Sequence, residues 1–133
     1  MLQKIQETAS YLKNKFDSLP HIGIILGTGL GNLVTQLTQT VEIPYDTIPN
    51  FPVSTVEGHQ GKLILGQLGD VDVLVMQGRF HYYEGYDMQE VTFPVRVMQA
   101  IGIDTLLISN ASGGINPNFE IGNVSIPIAC ITL

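Results

Sequence analysis

The chain is short of charge, of cysteine and of long apolar runs, and each shortage removes a class of function. Only 14% of its 133 residues are charged, and six Lys and Arg stand against twelve acidic residues, for a net charge of −6. Such a balance argues against nucleic acid or an anionic membrane as a partner. The single cysteine, Cys130, excludes an internal disulfide, and no CxxC or Cys/His spacing offers a zinc set. The opening residues Met1 to Glu7 carry no secretory apolar core, and no run approaches membrane-spanning length, so the cytoplasm is the default expectation. The length suits one domain with a modest core, not two. Yet 44% of the residues are hydrophobic and the mean hydropathy is positive, so the chain is expected to bury surface against something.

What is present is concentrated in three glycine-bearing loops, each placed after an apolar run. Val71 to Met76 reads as a buried strand and leads into Gln77-Gly78-Arg79-Phe80-His81-Tyr82-Tyr83-Glu84-Gly85-Tyr86. In an extended segment side chains alternate, so Arg79, His81 and Tyr83 share one wall. A planar cation, an imidazole and a phenol together suit an oxyanion and a hydroxylated ligand; the plainer reading is a solvated loop with a capping arginine. His21 to Leu26 is rich in β-branched residues and reads as a second buried strand. It runs into Gly27-Thr28-Gly29-Leu30-Gly31, after which Leu30, Leu33, Val34 and Leu37 recur at helical spacing. Strand, glycine turn and helix start form an anion cradle with outward N–H groups, and Thr28 adds a hydroxyl. The turn lacks the lysine of a Walker loop and the spacing of a dinucleotide fingerprint, so a simple strand-to-helix link stays open. Asp104 to Ser109 reads as a third strand, followed by Asn110-Ala111-Ser112-Gly113-Gly114. Loops at the carboxyl ends of neighbouring strands in an open α/β sheet converge, which predicts one composite site.

The rest of the chain reads as a single unit without repeats or linkers. Leu2, Ile5, Ala9, Leu12, Phe16 and Leu19 predict an amphipathic N-terminal helix ended by Pro20. Pro44, Pro49 and Pro52 predict an irregular loop leading to Glu57-Gly58-His59-Gln60-Gly61. Lys62–Gln67 and Val71–Gln77 predict a hairpin turning at Gly69-Asp70. Asp87 and Glu90 have the spacing of a capping box, whereas Pro94 favours a helix that holds it in the first turn and runs to Ile101-Gly102. His59, lying between Gly58 and Gly61, is either a site or gating residue or a loop histidine bonded to backbone. His81 alone is equally a ligand contact or a satisfied buried histidine. Glu84 either caps the following helix or orients His81, and it is not read as a general base. Asn116-Pro117-Asn118 reads as turn chemistry.

Four stretches resemble the trimeric family of purine nucleoside phosphorylases: G-T-G-L-G from Gly27, F-P-V-S-T-V-E-G-H-Q-G-K-L from Phe51, G-R-F-H-Y-Y-E-G-Y from Gly78 and S-N-A-S-G-G-I-N-P from Ser109. They stand in the family's order and at roughly its spacing. The resemblance implies an α/β fold, a central mixed β-sheet flanked by helices. It implies phosphorolysis of inosine- or guanosine-type nucleosides to free purine and ribose 1-phosphate through an oxocarbenium-like transition state. Carried over by position, Thr28 (more often serine in the family), Arg79, His81 and the backbone N–H of Ala111 hold phosphate. His81 is the catalytic candidate, Tyr83 contacts the ribose, and His59 lies beside phosphate and the sugar's far end. Ser112 stands where alanine is common. No metal or organic cofactor is implied; phosphate is a co-substrate, the partner is a purine ribonucleoside, and the intact family member is a homotrimer. Methylthioadenosine phosphorylase is a same-class neighbour whose match to the Arg79–Tyr86 loop is poorer.

The resemblance covers the chain from about its first helix to Gly122, which is about the first half of a family member. Residues 123–133, from Asn123 to Leu133, depart from the pattern, in which an aspartate and a D-H-I-N-like stretch follow. The family's base-binding glutamate and asparagine, a second phosphate serine and a histidine near the ribose 5′ hydroxyl have no counterpart here. Nor has the aromatic residue that a neighbouring subunit lends. The expectation is therefore one incomplete domain over residues 1–133, carrying the phosphate half and inactive in isolation. The alternative is a catalytically silent remnant or a phosphate-binding or interaction module.

Overall fold

A computed structural model describes residues 1–27, 29–52 and 61–124. Helix α1 (Leu2–Lys15) leads to strand β1 (Ile22–Ile25), a 3₁₀ turn (Gly31–Gln36) and strand β2 (Thr38–Pro44). A second 3₁₀ turn (Tyr45–Thr47), the hairpin β3 (Lys62–Leu68) and β4 (Val71–Gln77), and a third 3₁₀ turn (Tyr82–Glu84) follow. Helix α2 (Met88–Ile101) and strand β5 (Thr105–Ile108) end the series.

The strands form one mixed sheet in the order β2-β3-β4-β1-β5. β1 pairs in parallel with β4 on one side and β5 on the other, Ile24 lying opposite both Val75 and Leu107. β2, β3 and β4 are antiparallel neighbours. Alternation along β4 sends Leu74 and Met76 to one face and Val73 and Val75 to the other. The first pair packs with Leu12, Phe93, Val97 and Met98 of α1 and α2. The second packs with Ile24, Leu26, Ile64 and Leu37, with Leu33 and Val34 at the margin. β4 is buried on both faces, which is why it is a continuous apolar run. Gly23 is needed in β1, since a Cβ there would press on Leu106, Ile103 and the Met98 sulfur at 3.0 to 3.2 Å.

The N-terminal helix, the hairpin and the three strands stand where the residue pattern places them, but the helix ends at Lys15, short of Pro20, and β5 is an exposed edge strand instead of a buried one, because it has a neighbour on one side only. Three further elements differ. The helix expected after Gly31 is only a six-residue 3₁₀ turn; its apolar spacing fits a tight turn as well as an α-helix, and Leu37 already opens an extended segment. The irregular loop expected around Pro44 begins instead as β2, an edge strand on which Pro44 sits at the end, where a missing N–H costs little. Helix α2 starts at Met88 with the Asp87/Glu90 capping box formed, each side chain meeting the other's backbone N–H at 2.8 Å. Pro94 therefore lies inside the helix, not in its first turn. It removes one helical hydrogen bond, and burial of its ring against the core offsets that loss.

Candidate functional site

β4, β1 and β5 are adjacent and parallel, so the segments leaving their carboxyl ends emerge side by side. Beneath them lies a cleft of about 580 Å³, within the usual size for a small-molecule site. Gly27, Tyr45, Lys62, Arg79, His81 and Tyr83 are among the residues that line it. A smaller depression of about 240 Å³ by Lys15, Gln67 and Asp72 sits at the other end of β4. Gln67 and Asp72 satisfy each other there at 2.9 Å.

β4 ends at Gln77, and Gly78 after it, with a φ of +94°, turns the chain sharply into Arg79. The turn is braced from below by Tyr45, whose hydroxyl donates to the Gly78 carbonyl at 2.7 Å. Tyr45 is buried against Phe51 and Phe80, and burial pushes its pKa up, so the phenol stays a donor. Gly61 is required beside it, because a Cβ there would run into the Tyr45 ring.

Arg79 is half-buried and donates through Nε to His81 Nε2 at 3.2 Å and through Nη1 to the Ser109 carbonyl at 3.0 Å. No carboxylate pairs with it among the described residues, where the two ion pairs are His21–Asp104 and Lys62–Glu42. The His81 and Tyr83 rings stack at 4.7 Å with planes 19° apart. Extended alternation accounts for the shared wall of Arg79 and His81. Tyr83 joins it through the 3₁₀ turn that follows, so the expected strand-like geometry ends at His81. Glu84 accepts the His81 backbone N–H at 2.9 Å, which orients that turn, while α2 has its own cap.

Around Gly27 the arrangement is tighter than the residues foretell. Its N–H turns inward and donates to Ser109 Oγ at 2.9 Å, so this amide does not face an anion. A Cβ at position 27 would strike the Ser109 carbonyl and the Asn110 backbone, so glycine is obligatory for this approach. The short 3₁₀ turn beyond Gly31 does not supply the expected α-helical end; an anion here would depend on Arg79 and loop amides. Ala111 lies two residues past Ser109 on an exposed segment and does not line the cleft. Thr28 and His59 lie outside the described residues. Asn116 Oδ1 accepts from Asn118 N–H at 2.9 Å, the turn its neighbours suggest. No group of three or more possible metal ligands occurs among the described residues, and none of their helices is long and apolar enough to cross a membrane.

Tyr45, Ser109 and Gln77 were not foreseen at the site. Gln77 Oε1 is buried at the cleft and finds no partner among the described residues. Ser109 carried a faint signal, a small hydroxyl residue ending a strand before a glycine-rich loop; Tyr45 carried none, because its partners lie far along the chain.

A model of the phosphorylase superfamily matches residues 21–133. Purine nucleoside phosphorylase 1 of Geobacillus stearothermophilus is 57% identical over 122 residues, which are 92% of this chain and 44% of that protein. The purine nucleoside phosphorylase of Rattus norvegicus is 49% identical over 121 residues, 91% of this chain and 42% of that one. A crystal structure of purine nucleoside phosphorylase with ribose-1-phosphate superposes with a TM-score of 0.86 at 44% identity, covering 92% of this chain and 45% of that one. The Schistosoma mansoni enzyme with adenosine gives 0.84 at 43% identity, covering 92% and 42%. The chain thus spans under half the length of the relatives it matches. The match over residues 21–133 shows that the chain belongs to the phosphorylase superfamily, and the relatives it resembles there are purine nucleoside phosphorylases.

Proposed function

We propose that this chain forms the phosphate side of a purine nucleoside phosphorylase site. In the reaction, a phosphate oxygen forms a bond to the anomeric carbon as the bond from that carbon to the purine nitrogen breaks. Ribose 1-phosphate and free base result. The observation that carries this reading is Arg79, a half-buried guanidinium in a cleft with no carboxylate partner among the described residues. A cation in that position favours a bound oxyanion, and the guanidinium fork matches phosphate geometry.

In this reading Arg79 and His81 bind phosphate with Thr28, and Tyr83 lies along the ribose beside His59. His81 is the catalytic candidate. Holding phosphate in line with the sugar is the main contribution asked of these groups. Inorganic phosphate is the co-substrate and no metal or organic cofactor takes part. The working form is a cytoplasmic homotrimer in purine salvage. A phosphate-dependent assay of inosine cleavage, with ribose 1-phosphate followed by phosphorus NMR, tests the reading. Cleavage independent of phosphate, or no cleavage and no phosphate binding, would overturn it.

One observation favours a second reading, in which the chain binds phosphate or a partner without turning over substrate. Leu107 and Ile108 on β5 are 55% and 60% exposed, and Ile115, Ile121 and Val124 beyond them are almost fully so. Apolar surface of that extent is typical of a face that another polypeptide covers. Saturable phosphate binding without ribose 1-phosphate formation would select this second reading.

A further inference from the structure

We infer that Ser109 is a positioning residue that locks the glycine loop after β1 to the arginine after β4; the inference rests on the phosphate reading above. Ser109 is the first residue past β5, and it meets both the end of β1 and the loop after β4. Its N–H donates to the Ile25 carbonyl at 3.1 Å, extending the β1–β5 ladder by one rung. Its hydroxyl donates to the same carbonyl at 3.3 Å and accepts from Gly27 N–H at 2.9 Å. Its own carbonyl accepts from Arg79 Nη1 at 3.0 Å. One residue therefore touches all three loops of the cleft.

The contacts form a closed set. The Ser109 carbonyl that holds Arg79 is pressed against Gly27, so closely that a Cβ at position 27 would strike it. The hydroxyl keeps Gly27 in that place by taking its N–H. Without the hydroxyl, the buried Gly27 N–H loses its acceptor, and an unsatisfied buried donor drives local rearrangement. The nearest backbone to move is the Ser109–Asn110 peptide, and with it the acceptor that aims the guanidinium. Ser109 touches no substrate in this account. It acts through Arg79 and the Gly27 turn.

The test compares Ser109→Ala with Ser109→Thr, which keeps the hydroxyl. Ser109→Ala is expected to raise the phosphate concentration for half-saturation about tenfold, the equivalent of one lost buried hydrogen bond, with the nucleoside KM changed less than about twofold. Ser109→Thr should return phosphate half-saturation to within about threefold of wild type. A purely structural serine would lower the melting temperature in both variants and leave the phosphate-to-nucleoside split unmoved, and that result overturns the inference. Proton–nitrogen NMR separates this from failure of the functional reading. Ser109→Ala should speed exchange at the Gly27 amide and shift the Arg79 Nε resonance, whether or not phosphate binds. A change at Gly27 with Arg79 unmoved would also overturn it. Absence of phosphate saturation in the wild type, with both NMR changes present, would remove the functional reading and leave the coupling standing.

Discussion

Replacing Arg79 by alanine removes a charge and two internal hydrogen bonds, and the two losses are separable. The internal bonds, to His81 Nε2 and the Ser109 carbonyl, are made by Nε and Nη1 and tie the β4 loop to β5. They are part-buried, so their loss costs about 1 to 2 kcal/mol of stability. The remaining N–H groups of the fork have no partner among the described residues and can meet an oxyanion, where a charge-assisted contact contributes about 1.5 to 3 kcal/mol. At 1.4 kcal/mol per factor of ten, phosphate half-saturation should rise by roughly 10- to 150-fold. Arg79→Lys keeps the charge but cannot hold Ser109 and an anion in one plane, so it should recover only part of that loss. The assay is initial rate against phosphate at saturating nucleoside, with thermal melts with and without phosphate to confirm that each variant folds. A folded Arg79→Ala protein whose phosphate half-saturation stays within about twofold of wild type would refute the assignment, because the predicted contact is worth far more.

Three further outcomes follow from the same contacts. Tyr45 is held neutral in the fold, so above about pH 10 the unfolded chain loses a proton that the native state keeps, and stability should fall as pH rises. Urea midpoints between pH 8 and 11 should fall more steeply for wild type than for Tyr45→Phe; equal slopes would contradict a buried, protonated phenol. Gly27→Ala places a methyl against the Ser109 carbonyl and should cost about 1 to 3 kcal/mol in urea unfolding along with phosphate binding; an unchanged urea midpoint would contradict the close approach. Asp87→Ala breaks the capping box of α2 and should lower unfolding free energy by about 1 kcal/mol with no change in phosphate half-saturation, a dissociation that equilibrium melts and kinetics together can check.

The parts of this fold that were legible in the sequence are those where one local pattern admits a single arrangement. β1, β4 and β5 are mutually parallel, β1 and β4 are internal to the sheet with β4 shielded on both faces, and short β-branched runs bounded by glycine have few other uses. β2 was hidden because it is an edge: its Thr-Gln-Thr-Val-Glu-Ile-Pro residues are mostly exposed, and their polarity and the proline look like a loop. The turn after Gly31 was misjudged because apolar spacing over six residues cannot distinguish a 3₁₀ turn from the start of an α-helix. The same division governs the site. Arg79, His81 and Tyr83 are near neighbours in the chain, so their common wall could be anticipated even though the backbone leaves the extended form at His81. What holds that wall in place was not legible. Tyr45 reaches Gly78 across 33 residues, and Ser109 reaches Gly27 across 82, contacts that exist only once the sheet order is set. Side chains that carry chemistry announce themselves by type, since an arginine or histidine in a glycine-rich loop is costly without a task. Side chains that aim them are ordinary serines and tyrosines, distinguished only by where the fold puts them. For a site assembled from three strand ends, that second group decides whether the first can act together.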